Sequence, residues 1–162
     1  MKRETLDKLV SSTGFIIGVV LVAMSIALFW THDFIHEQVK NQLGAQKIQF
    51  PKKDDASYKA LPEMNRKNIE RYAGQQITTG DQARVFADDY IAVHIDKIGG
   101  GKTYSELSAA SMADSKNTAL AGQVQTVFRG ETLRGMLLNA YAFDTMAVVA
   151  HYVAWGALGA AI

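Results

Sequence analysis

From Leu9 to Thr31 the chain carries no Asp, Glu, Lys, Arg or His. No other feature restricts the fold as strongly. Wound as a helix at about 1.5 Å per residue, a run of that length matches the roughly 30 Å hydrocarbon core of a bilayer. A soluble protein would have to bury such a helix on every side. Lys2, Arg3 and Lys8 precede the run and Asp33 follows it. Phe29 and Trp30 close it, as aromatic residues do at a membrane interface. A cleaved leader is the competing reading, with Ser25 and Ala27 as small residues ahead of a cut. Leu28, Phe29 and Trp30 carry the apolar run through that site, which favours an uncleaved span.

A second apolar stretch, Gly135 to Ile162, is interrupted only by Asp144 and His151. Its length predicts a second span even if the membrane takes only residues 140–160. With two spans both termini share a side, and the basic N-terminus places them in the cytoplasm. The expected layout is a cytoplasmic tail (1–10), a first span (11–31), an extracytoplasmic domain (32–133) and a second span (134–162). The expected fold class is mainly α: two transmembrane helices joined by a mostly helical outer domain.

Helical spacing sorts the spans into faces. Tyr141, Asp144, Val148, His151, Trp155, Leu158 and Ile162 recur at three- and four-residue steps, one seam of a helix. Ala147, Ala150, Ala154, Ala157 and Ala161 form a second seam, roughly 60° away at 3.6 residues per turn. In the first span Ser11, Gly14, Gly18, Leu21, Ser25 and Leu28 form another, and Gly14 with Gly18 makes a GxxxG pair. Small residues let backbones approach closely in lipid, so these faces predict contacts with each other or with helices of a partner or a second copy. An ionised aspartate at the centre of a span costs about 2.5–3.5 kcal/mol on the insertion scale. Three readings of Asp144 and His151 follow: hydrogen bonds to a neighbouring helix, a proton or ligand path, or a shallow, hydrated Asp144. Counting inward from Trp30 and Asn139 sets Ser25 opposite Asp144, and a contact between them is expected. Asp144 and His151, about 10 Å apart along one helix, are too distant for a direct bond.

Residues 32–134 hold 14 of the 17 Lys and Arg and 13 of the 16 Asp and Glu. That balance argues against nucleic acid, which favours a basic face. The absence of cysteine removes disulfides, thiolate zinc and thiol catalysis. Ile35, Val39 and Leu43 continue the helical pattern up to Gly44, and "QKIQFPKKDD" reads as an extended strip. Residues 51–62 read as a loop. A central helix is expected across "ITTGDQARVFADDYIAVHIDKIGGG", capped by Thr79 or Asp81 and ended by Gly99–Gly101, with Phe86, Tyr90, Val93 and Lys97 on one side. Thr103 and Glu106 have capping-box spacing. A last helix should start near Asp114 or Asn117, carry Leu120, Val124 and Val127 inward, then run on or bend at Gly130.

Several motifs invite a chemical role. "IGGGKT" has the end of a phosphate loop, but Asp96 stands where the first glycine belongs, so a helix C-cap is the better reading and nucleotide is not expected. "HDFIHE" places His32 and His36 one turn apart, a spacing that suits a shared metal, with His94 or Asp96 as distant third ligands. Solvated interfacial histidines are commoner, so neither a metal nor a cofactor is expected. Asp88 and Asp89 point in different directions on a helix and do not pair.

The runs "YAGQQITTGDQARVFADDYIAVHI", "GGGKTYSELSA" and "FRGETLRGMLLNAYAF" resemble a family of small two-span membrane proteins of bacteria, mainly actinobacteria. That resemblance implies the two-span layout and a cell-envelope location, and it carries no activity or site residue. The expected role is a non-enzymatic accessory or scaffold subunit of a larger membrane assembly. The rivals are a proton- or redox-linked component using Asp144 and His151, and an envelope sensor or metal-binding module using His32, His36 and His94.

Overall fold

The computed structural model describes residues 3–162. The protein is mainly helical: α1 (Arg3–Gln46), α2 (Ala56–Lys59), α3 (Glu63–Ile69), α4 (Gly80–Phe86), α5 (Ala92–Gly99), α6 (Tyr104–Ala113) and α7 (Thr118–Ala160). Among the described residues extended pairing is limited to an antiparallel bridge between Gln49 and Gln76. The chain divides into two compact units. One joins α1 as far as Gln38 to Asp144–Ile162 of α7; the other is Val39–Phe143. Both long helices therefore contribute to both units. Among the described residues α1 alone is long and apolar enough to cross a membrane. In α7 Asp144 and His151 break the apolar stretch.

The second unit begins where α1 turns Val39 and Leu43 into a core. Lys47 takes the left-handed conformation (φ 54°) and ends the helix, its N–H reaching the Gly44 carbonyl at 3.1 Å. The chain then runs extended, and Phe50 docks edge-on against Phe86, ring centres 5.2 Å apart. The segment expected to be a loop over 51–62 is not wholly irregular. It holds α2, because Tyr58 is buried and needs a fixed backbone beneath it.

Local chemistry sets the boundaries of the central rod. Thr79 accepts from the Gln82 N–H while the Gln82 side chain reaches back, a complete capping box for α4. Between α4 and α5 the rod widens into a π-turn, Ala87–Ile91, where the Ala92 N–H bonds the Ala87 carbonyl. The wider turn separates two neighbouring carboxylates. Asp89 is buried and accepts from Asn65 (2.9 Å) and Asn68 (2.8 Å) of α3. Asp88 accepts from Arg134 of α7 at 3.0 Å. Gly100 and Gly101, both with positive φ, end α5, and the Gly101 N–H returns to the Asp96 carbonyl. Thr103 and Glu106 form the second capping box, and the Asn117 side chain caps α7 through the Leu120 N–H.

Gly130 does not interrupt α7, which runs through it as one helix. Its role is a notch against α5. A Cβ there would stand 2.2 Å from Ile95 Cγ2. That methyl sits on a β-branched side chain with little rotamer freedom in a helix. Gly130→Ala gains about 1 kcal/mol of helix propensity but overpacks the contact by about 1–3 kcal/mol. The net expectation is destabilisation, read as a lower thermal midpoint by circular dichroism. Ile95→Ala removes the clashing methyl and should therefore cost less stability in the Gly130→Ala background than in the native chain, a positive coupling in a double-mutant cycle.

Candidate functional site: a polar seam between the long helices

Within the first unit α1 and α7 run antiparallel, and contacts along their length fix one register. A Cβ on Gly18 would lie 3.4 Å from the Ala161 carbonyl oxygen. The Ser25 hydroxyl donates to the Ala154 carbonyl at 2.9 Å. His32 Nδ1 lies 2.9 Å from the Ala147 carbonyl, and His36 Nδ1 lies 3.0 Å from Asp144 Oδ1. A carbonyl and a carboxylate can only accept, so both histidines donate from Nδ1. The backbones meet closely because Ser25, Ala147 and Ala154 are small, and all three are buried. Ala150, Ala157 and Ala161 are half-buried along the same seam.

The expected contact between Ser25 and Asp144 does not form. Ser25 pairs with Ala154, about 15 Å further along α7 at 1.5 Å per residue. Counting from the presumed membrane ends sets the register incorrectly, because small-residue packing decides it. The Asp144 carboxylate instead meets His36, which lies beyond the charge-free run on α1.

His151 lies beside His32, ring centres 4.7 Å apart, and edge-on to Phe29 at 5.5 Å. Trp155 donates its indole N–H to His151 Nε2 at 3.1 Å but leaves more than half its own surface exposed. His151 Nδ1 is buried and has no partner among the described residues. His32 stacks on His36 at 5.9 Å with the rings 15° from parallel.

The other sequence-derived sites fall elsewhere. Gly14 faces open space, and every residue from Arg3 to Ile17 is exposed. Tyr141 belongs to the second unit, under the Arg84 guanidinium. His94 also belongs to the second unit and is tied to the Tyr90 carbonyl of its own helix at 2.7 Å. Among the described residues no group of three or more His, Asp or Glu is arranged to hold a metal ion.

Asp81, in the second unit, does not cap α4 but sits at the centre of a polar network. It accepts from Tyr72 (2.5 Å), Arg71 (2.8 Å) and Arg84 (3.0 Å). The Tyr72 hydroxyl, then the Arg84 and Arg71 guanidiniums, hold its carboxyl below the usual range. Burial, then the Asp81 carboxylate, pushes the Tyr72 phenol up. Arg84 stands three residues after Asp81 on α4, a spacing the sequence shows, whereas Arg71 and Tyr72 reach Asp81 from the preceding turn, Glu70–Tyr72.

No protein-family model, curated protein or solved structure matches this chain.

The register has a direct test, because the chain lacks native cysteine. Cysteines at 25 and 154 should cross-link in membranes, and cysteines at 25 and 144 should not. The Asp81 network has a pH signature. Its lowered folded pKa makes its contribution complete above the unfolded value of about 3.9, and lost as pH falls through the folded value. Partial exposure screens the effect to below about 1 kcal/mol. Acid titration of stability should therefore be shallower below pH ~4 in Asp81→Asn than in the native chain.

Proposed function

We propose that this chain is an integral membrane protein that serves as an accessory or scaffold subunit of a larger membrane assembly. In this reading α1 crosses the bilayer from a cytoplasmic N-terminus. The unit Val39–Phe143 is the extracytoplasmic helical part. The C-terminal part of α7 is the second membrane segment, packed on α1. A complete second crossing, with a cytoplasmic C-terminus, requires that pairing to continue beyond Gly18 towards Leu9. The resemblance to small two-span bacterial membrane proteins points the same way.

One observation carries the proposal. Among the described residues, 3–17 of α1 are all exposed, with Phe15, Ile16 and Ile17 on the surface. Beside it lies an open apolar groove of about 360 Å³ lined by Gly14, Phe15, Gly18, Val19, Val22 and Ala161. Exposed glycine next to a ring is the surface another helix uses in lipid, where close packing drives association. Further along, Ile26, Trp30, Met146 and Tyr152 also face outward. Ser25, His32, Asp144 and His151 face the partner helix. That inside-out arrangement suits lipid and not water.

The rival reading makes Asp144 and His151 titrating groups of a proton-linked component, supported by the row of rings His36, His32 and His151. Two experiments separate the readings. Extraction in mild detergent should recover a complex, and Gly14→Leu should reduce it at unchanged helix content; a native chain recovered only as monomer sinks the scaffold role. Asp144→Asn with His151→Ala should leave that complex intact if these groups serve proton transfer, and weaken it if they serve packing. Topology is checked with single cysteines and a membrane-impermeant thiol reagent applied to intact cells. A cysteine at 102 should label and one at 6 should not, and one at 162 reports whether α7 crosses fully.

A further inference from the structure

We propose that the cavity between α3 and α4 binds a small zwitterion, an α-amino acid or a phosphoethanolamine head group, with its oxyanion on Lys67, Arg71 and Arg84 and its ammonium on Asp89. The cavity lies within the second unit, has a volume of about 430 Å³ and is lined by Lys67, Asn68, Arg71, Arg84, Val85 and Asp89. Small-molecule sites span about 300–1,000 Å³. Of the lining residues only Val85 is apolar, so the cavity suits a polar occupant.

Helical spacing builds the walls. Lys67 and Asn68 of α3 stand four and three residues before Arg71, in the turn that continues α3, so both neighbour it. Opposite, Arg84 and Val85 belong to α4 and Asp89 to the π-turn that follows. Asn68 joins the two walls by donating to Asp89 at 2.8 Å.

Two observations give the cavity its charge pattern. The first is a pair of prepared guanidiniums. Arg71 and Arg84 each give Nη2 to Asp81, at 2.8 and 3.0 Å, and their other N–H groups take no acceptor among the described residues. Arg71 also rests on the Tyr72 ring and Arg84 on the Tyr141 ring, 4.6 and 5.6 Å from the ring centres. Guanidiniums held this way need little reordering to clasp a carboxylate or phosphate. Lys67 pairs with Glu63 four residues back, an exposed bond that costs little to exchange for a bound anion.

The second is a carboxylate with one open oxygen. Asp89 is buried, and Asn65 and Asn68 both bond its Oδ1. Oδ2 takes no donor from the described residues, yet it is not one of the sealed, unpaired atoms, which are Arg134 Nε and His151 Nδ1. Asp89 lines the cavity, so Oδ2 opens onto it. An ammonium is the donor such an oxygen favours most.

Charge balance then selects the ligand. Asp81 and Glu63 offset two of the three cations, and Asp89 the third. A bare anion meets Asp89, and a bare cation meets Lys67, Arg71 and Arg84. A molecule with both ends satisfies both poles. The site is independent of the scaffold reading, since binding is measurable on monomer and complex alike.

The test is calorimetric titration of the full chain in a detergent that carries neither amine nor phosphate. Phosphoethanolamine or glycine should bind one equivalent with a Kd of about 1 mM or tighter. The tighter of the two names the source, lipid head group or amino acid. The halves, inorganic phosphate or acetate for the oxyanion and ethanolamine or methylamine for the ammonium, should bind at least about tenfold more weakly. That comparison tests Asp89 in the native chain, without a variant that would unseat Asn65 and Asn68. Lys67→Glu alters an exposed side chain and should weaken binding at least about tenfold at unchanged helix content. Lys116→Glu, the same charge change outside the cavity, should not. A Kd weaker than about 1 mM for both zwitterions, phosphate binding as tightly as phosphoethanolamine, or binding indifferent to Lys67→Glu would each overturn the proposal.

Discussion

The close approach of α1 and α7 governs the first unit. Ser25, Ala147 and Ala154 are small enough for one helix to hydrogen-bond the backbone of the other. In lipid there is no hydrophobic force between helices, so packing and such bonds carry the association. Once Ser25 meets Ala154, the helical repeat leaves no freedom elsewhere on the seam. His32 falls at Ala147 and His36 at Asp144. The polar constellation follows from a packing register set several turns away.

The second unit solves a different problem. Its core is small, drawn from residues such as Phe50, Ile69, Ile77, Phe86 and Leu107. Much of its definition comes from polar groups with assigned partners. Asp89 shows the logic: a buried carboxylate is costly unless its lone pairs are filled, and Asn65 and Asn68 fill those of Oδ1. Its neighbour Asp88, also in the π-turn, serves a different element, α7. Gly130 completes the arrangement by letting Ile95 press against the α7 backbone.

Local signals were legible in the sequence, and relations between segments were not. The capping box at Thr103 was readable, and Thr79 was one of two candidate caps, because such signals lie within four residues. The glycine stop after α5 and the continuation of α1 past Thr31 were readable for the same reason. The π-turn was not, since nothing in "FADDYI" distinguishes it from ordinary helix. The Asp144 partner was missed because depth was counted from the membrane ends. The small-residue seams held part of the signal: Gly18 and Ser25 are seven residues apart, as are Ala147 and Ala154, Ala150 and Ala157, and Ala154 and Ala161, and the structure selects the last pair. The Asp81 network was legible only in its Arg84 member, three residues away on α4; Tyr72 and Arg71 meet Asp81 only once the preceding turn packs on α4.

The register also changes what Asp144 costs. It lies level with His36, five residues past Thr31, or about 7 Å beyond the charge-free run. In the proposed membrane reading a carboxylate at that level escapes most of the central-bilayer penalty, and it keeps a hydrogen-bonded partner. His151 is placed differently. Trp155 can only donate, so His151 Nε2 accepts and its single ring proton sits on Nδ1, buried without an acceptor. A second proton at Nε2 would cost the Trp155 bond. A relay from Asp144 through His36 and His32 would therefore end on a ring whose free lone pair is already taken. That geometry weighs towards packing for His151.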